Sequence, residues 1–143
     1  MLKNIHPLLG PELLAVLREM GHGDEIAIVD ANYPATSAGP ICVRLDGISA
    51  TDALEAVLTV MPLDTFVDEA AFTMQVVGDA SRREPIIDEF ETTIERLEPG
   101  FALSSLERFA FYERVKAAYA IVATGERRLY GNILLKKGVV RPD

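Results

Sequence analysis

Leu13, Leu14, Leu17 and Met20 recur at the spacing of one helix face, with Pro11 ahead and Gly21 behind, and predict a helix over 11–20. A second helix is predicted from a cap at Ser49 or Thr51 through Leu54, Val57, Leu58 and Met61, stopped by Pro62. The clearest helical stripe is Ile86, Ile87, Phe90, Ile94 and Leu97 within 84–98, opposite an acidic face. Mixed helical spacing around 107–118 predicts a fourth helix. Apolar runs bounded by turn residues predict strands over 25–29, 41–45, 71–77, 119–125 and 132–138, with an irregular loop, ANYPATSAGP, after the first. Strands and helices alternate along the whole chain, so the expected fold is α/β: a three-layer α/β/α sandwich on a mostly parallel or mixed sheet.

The chain has 143 residues, which suits one domain over 1–143, and 49% apolar residues supply a core without staples. Cys42 is the single cysteine, so no intrachain disulfide can form and multi-cysteine metal sites are excluded. No apolar run is long enough to span a bilayer, and Pro7, Pro11 and Glu12 interrupt the place a signal peptide would use, so the expected location is the cytoplasm. A net charge of −8 opposes nucleic-acid binding. That charge is uneven: residues 1–106 hold 6 basic and 18 acidic side chains, whereas 107–143 hold 8 basic and 4 acidic. Such asymmetry suits head-to-tail contact between copies and equally suits a solvated surface.

No GxGxxG, Walker A or GxSxG pattern is present. The unusual chemistry gathers in GHGDEIAIVD, where His22 lies between two glycines with Asp24, Glu25 and Asp30 nearby. Imidazole can donate or accept a proton near neutral pH, and a neighbouring carboxylate can orient it. The same residues also fit a helix terminus with an exposed histidine. Arg108 and Tyr112 are four apart and share a helix face, offering a guanidinium fork and a phenol to a polyol, or else a surface ion pair and a core-edge ring. Tyr130-Gly131-Asn132 joins two strands as a turn, and its amide has both a donor and an acceptor for adjacent hydroxyls. With neither HExxH nor a second partnered imidazole, a metal is not expected.

In order and spacing, GHGDEI, DANYPA, RFAFYERV and ATGERRLYGNILLKKGV resemble the L-fucose mutarotase branch of the family that also contains D-ribose pyranase. The resemblance implies interconversion of the α and β anomers of a reducing sugar by acid and base catalysis, without cofactor or metal. It implies that His22 is the proton donor. Asp30 would be a sugar ligand that orients the imidazole or shares in proton transfer, with Arg108, Tyr130, Gly131 and Asn132 as substrate contacts and Tyr112 as a weaker one. RFAFY is a feature of the fucose branch and favours a six-carbon deoxy sugar over ribose. The alternatives are a ribose pyranase-like exchange of pyranose and furanose forms, and a sugar-binding protein without catalysis. The family further implies a ring-shaped homodecamer with each site at a boundary between neighbours.

Overall fold

The computed structural model describes residues 1–143. Its first helix, α1 (Pro11–Glu19), begins where Pro11 pre-sets φ at a position whose N–H would have no helical partner. Next come β1 (Glu25–Val29), a short 3-10 turn at Thr36–Ala38, and β2 (Ile41–Leu45). Ser49 caps α2 (Ala50–Leu58) by accepting the Asp52 N–H. The chain continues through β3 (Ala71–Met74), α3 (Pro85–Leu97), β4 (Ser104–Leu106), α4 (Arg108–Lys116), β5 (Ala120–Thr124) and β6 (Ile133–Lys136).

The strands form one mixed sheet in the order β2-β5-β1-β6-β3-β4. Three pairings are parallel, and β6 runs antiparallel to both its neighbours, β1 and β3. On one face Leu13, Leu54, Ile86 and Phe90 of the first three helices bury Ile26, Ile28, Val122 and Ile133 of the sheet. The other face carries Ala27, Val29, Phe72 and Ile121 beneath Phe111 and Val115 of α4 and Ala35 of the loop after β1. The expected three layers are therefore present, with α4 as the one helix of the second layer.

Two differences from the sequence expectation affect the site. β3 ends at Met74 instead of Val77, because the chain turns at Gly78 (φ +78°) through a bridge between Val76 and Asp79. The edge strand β4 was not expected: Ser104-Ser105-Leu106 has neither the length nor the apolar alternation that marks a strand, and it forms by parallel pairing with Phe72–Met74.

The register of β6 fixes what stands at each end of the sheet. Ile133 pairs with Ile28, so the residues just before β6 meet those just after β1. Lys136 pairs with Glu25, which brings the residues after β6 beside the loop that precedes β1.

Candidate active site

At the first of these ends, Asp30 and Asn132 are buried side by side. The Asp30 N–H donates to Asn132 Oδ1 at 2.8 Å, and Asn132 Nδ2 donates to Asp30 Oδ2 at 3.1 Å. The Asn32 N–H donates to Asp30 Oδ1 at 2.9 Å. Burial pushes the Asp30 carboxyl above the ordinary aspartate value, and the donors from Asn32 and Asn132 offset part of that rise. A buried carboxyl with a raised pKa accepts a proton more readily than an exposed one and is a candidate for exchanging it with a ligand.

The loop from Gly125 to Gly131 holds Tyr130 at this end. Glu126, buried beneath it, accepts the Ala50 N–H at the start of α2 through Oε2, and the Arg128 N–H and Nε through Oε1. The Arg128 side chain is the largest cause lowering the Glu126 pKa to about 2. The Glu126 carbonyl accepts the Ala31 N–H, tying this loop to the one after Asp30. A Cβ at Gly131 would stand 2.7 Å from Glu126 Cγ and 3.0 Å from Ile86 Cδ1, so any side chain here would have to displace them. Tyr130 adopts a left-handed backbone (φ +60°), and its hydroxyl accepts the Val77 N–H at 3.1 Å.

From α4 come Arg108 and Tyr112. Glu107 caps the helix by accepting the Phe109 and Ala110 N–H groups, which sets Arg108 on its first turn. Arg108 Nε is buried and has no hydrogen-bond partner, while its guanidinium lies 4.6 Å from the Phe109 ring centroid. Tyr112 packs edge-on against Tyr33, with centroids 5.3 Å apart. Burial raises the Tyr33 hydroxyl well above the ordinary tyrosine value.

These groups share one open cleft of about 210 Å3, lined by Asp30, Arg108, Tyr112, Tyr130 and Asn132 together with Asn32, Tyr33, Met74, Val77 and Leu129. Gly131 lies in the chain between two of its walls. A carboxylate, an amide, phenols and a guanidinium beside a few apolar side chains match the alternating hydroxyls and C–H faces of a monosaccharide. By contrast, the recess under the N-terminal segment, lined mainly by Met1, Leu2, Ile5, Leu9 and Leu14, offers neither carboxylate nor guanidinium.

His22 is not in this cleft. The expectation that His22 and Asp30 converge is not met within one chain, because β1 lies extended between them. At about 3.3 Å per residue, its five residues alone separate the two ends by roughly 15 Å. Nor does Asp30 orient the imidazole within the chain. The ring partner is Asp64, whose Oδ1 lies 2.9 Å from His22 Nε2. Asp24, closer in sequence, instead accepts the Gly21 N–H at 2.7 Å. The His22 side chain is half-exposed, and its ring centroid is 5.1 Å from that of the exposed Phe66.

Of the residues singled out in the sequence, Asp30, Arg108, Tyr112, Tyr130 and Asn132 line one cleft and His22 stands apart, while Asp64 and Glu126 were not among them. Neither of the missed residues has a local signal: each is an acidic residue in an unpatterned connection, and the partner that gives it a place in the fold is distant, His22 at 42 positions from Asp64 and Ala50 at 76 from Glu126. Nowhere do three or more His, Cys, Asp or Glu side chains gather as a metal-binding group. No helix is long and apolar enough to cross a membrane.

Residues 3–140 match the model of the RbsD / FucU transport protein family. The chain is 48% identical to human fucose mutarotase over 97% of its own length and 94% of that protein. It superposes with a TM-score of 0.89 on the crystal structure of the Streptococcus pneumoniae fucose mutarotase in complex with L-fucose, at 46% identity over 98% of this chain and all of that one. Bacillus subtilis RbsD complexed with D-ribose, at 24% identity and a TM-score of 0.73, shares the fold over 99% of this chain and all of that one. The cleft at the β1–β6 junction thus stands in a chain that belongs to the RbsD/FucU family.

Proposed function

We propose that this protein is a cofactor-independent mutarotase that interconverts the α and β anomers of L-fucose or a closely related monosaccharide. The observation that carries the reading is the buried Asp30–Asn132 pair opening into the same cleft as the unpartnered Arg108 Nε. Relatives named as fucose mutarotases, matched along nearly the whole chain, give the same substrate class.

Mutarotation breaks the bond between the anomeric carbon and the ring oxygen. The ring oxygen gains a proton, and the anomeric hydroxyl loses one to become a carbonyl. Rotation of the open chain presents the other carbonyl face, and the same two transfers in reverse close the ring. In this reading Asp30, with its raised pKa, lies at the anomeric hydroxyl. Arg108, Tyr130 and Asn132 grip the remaining oxygens, with help from Tyr112 and the Gly131 backbone. His22 gives the proton to the ring oxygen. Each positioned acid or base contributes on the order of 10²–10⁴-fold, and holding the sugar in place adds to this.

Because His22 stands at the far end of β1, the reading requires it to come from a neighbouring copy, within a homodecamer of the kind the family resemblance implies. Exposed Phe66 and Val67 beside His22, and exposed Val77, Phe109 and Leu129 around the cleft, give both surfaces apolar area to bury in such a contact. A cytoplasmic location fits a single unpaired cysteine.

The test is magnetisation exchange between anomer signals in NMR. Added protein should accelerate exchange for L-fucose and do so more than it accelerates pyranose–furanose exchange in D-ribose. Faster exchange with ribose would favour the pyranase reading, and saturable sugar binding with unchanged exchange would favour a sugar-binding protein without catalysis.

A further inference from the structure

We propose that Asp64 is the positioning residue for His22: its Oδ1 takes the Nε2–H of the imidazole, fixes that tautomer, and leaves Nδ1 as the nitrogen that exchanges a proton with the sugar. The inference rests on the mutarotase reading and on His22 as its proton donor.

Asp64 is held from every side. Its N–H donates to the Lys136 carbonyl at 3.1 Å, while Leu63 bridges Lys137 and the Gly138 N–H donates to the Pro62 carbonyl. A Cβ on Gly138 would stand 2.3 Å from the Leu63 carbonyl oxygen, so glycine permits this close approach. The carboxylate itself is almost wholly buried, and Oδ1 accepts two donors, the Phe66 N–H at 3.0 Å and His22 Nε2 at 2.9 Å. Burial pushes its pKa up, but the Phe66 and His22 hydrogen bonds outweigh that and leave it below the ordinary aspartate value. Asp64 therefore remains an ionised acceptor and cannot donate to the ring.

An acceptor fixed at Nε2 decides which imidazole nitrogen is free. His22 Nδ1 has no protein partner, whereas Nε2 is engaged. The loop carrying the ring is fixed to the same β6 extension, since the Gly23 N–H donates to the Lys137 carbonyl and the Lys137 N–H to that of Asp24. Ring and carboxylate are thus referenced to one piece of backbone, so the ring is aimed before any sugar arrives. As donor, His22 reacts as the imidazolium, giving its Nδ1 proton to the ring oxygen and returning to the neutral Nε2–H form. The Asp64 carboxylate at Nε2 is the charge-assisted partner of that positive ring, in place without reorganisation.

The variant that separates this role from a structural one is Asp64→Asn. Its amide oxygen can still accept both the Phe66 N–H and the Nε2–H, so the turn at 64–66 is kept, while the negative charge facing the ring is lost. The expected result is a kcat for fucose anomer exchange lower by on the order of 10²-fold with KM changed less than about threefold. Nitrogen-15 NMR of His22 should show the neutral ring protonated at Nε2 in the wild type, and a mixture of tautomers in Asp64→Ala, where the acceptor itself is removed. Unchanged kcat in Asp64→Asn, or a wild-type ring already mixed between tautomers, overturns the positioning role. His22→Ala distinguishes the two levels. Wild-type exchange in that variant means that His22 is not the donor, whereas loss there with a fully active Asp64→Asn removes Asp64 alone.

Discussion

Asp30 and Asn132 clasp each other across the junction of β1 and β6, backbone to side chain at 2.8 Å and side chain to side chain at 3.1 Å. The amide oxygen is an acceptor and the amide nitrogen a donor, so only asparagine in this rotamer satisfies both bonds. Asn132→Asp would keep the acceptor and set a second carboxylate against Asp30, whose pKa burial already raises. Two like charges at this distance share a proton, so the folded-state pKa rises further above the unfolded value near 3.9. The penalty is absent below that value and grows as pH rises through the folded-state range. Urea unfolding should show a deficit of about 1–3 kcal/mol near pH 8 that shrinks towards pH 5. A deficit independent of pH would contradict the clasp as described.

Arg108 should matter to the ligand and not to the fold. Its buried Nε has no partner in the chain, so Arg108→Met removes an unsatisfied group and keeps the stem volume. The unfolding midpoint is expected to hold or rise. A hydrogen bond from a charged donor contributes about 1.5–3 kcal/mol, so sugar affinity should fall by roughly 10- to 100-fold. Calorimetric titration with L-fucose reads one quantity and thermal unfolding the other.

Glu126 carries the opposite signature. Its folded-state pKa is lowered to about 2, chiefly by the Arg128 side chain, so its contribution is present above the unfolded value near 4.3 and is lost as pH falls from there towards 2. Glu126→Gln should be less stable at neutral pH by about 2 kcal/mol, after allowance for the half-exposed Arg128 partner. Its stability should also depend less on pH between about 5 and 2 than that of the wild type. Because the same carboxylate holds the loop bearing Tyr130, fucose affinity should drop in parallel.

Gly131→Ala tests the loop from the other side. The new methyl would press on Glu126 Cγ and Ile86 Cδ1, both side-chain atoms that can yield, so the fold is expected to survive with the Tyr130–Asn132 backbone displaced. Circular dichroism should be unchanged while KM for fucose rises about tenfold or more.

The helices and strands were legible where burial imposes a period. The stripe from Ile86 to Leu97 marks α3 to within a residue, and Ile26–Val29 marks β1, because both face a continuous core. β4 was not legible: it consists of three residues and is defined by its pairing with β3 more than by its own pattern. The cleft was legible in its residue types but not in its assembly. Asp30 and Asn132 are 102 positions apart, and only the antiparallel insertion of β6 between β1 and β3 brings them together. The same topology separates His22 from Asp30, although eight positions in sequence suggest closeness. Their placement at opposite ends of one strand follows from β1 being extended, which the apolar run itself had indicated.

That separation makes one measurement decisive. His22→Ala and Arg108→Met chains, co-produced with different tags and purified through both, form mixed assemblies in which neighbouring copies can complete a site that neither variant completes alone. At fucose concentrations well below the weakened affinity of Arg108→Met, each homogeneous variant is expected to exchange anomers far more slowly than the wild type, and the mixed assemblies to recover to roughly a quarter of the wild-type rate under random placement. Doubly tagged assemblies as inactive as their parents would contradict a site shared between subunits.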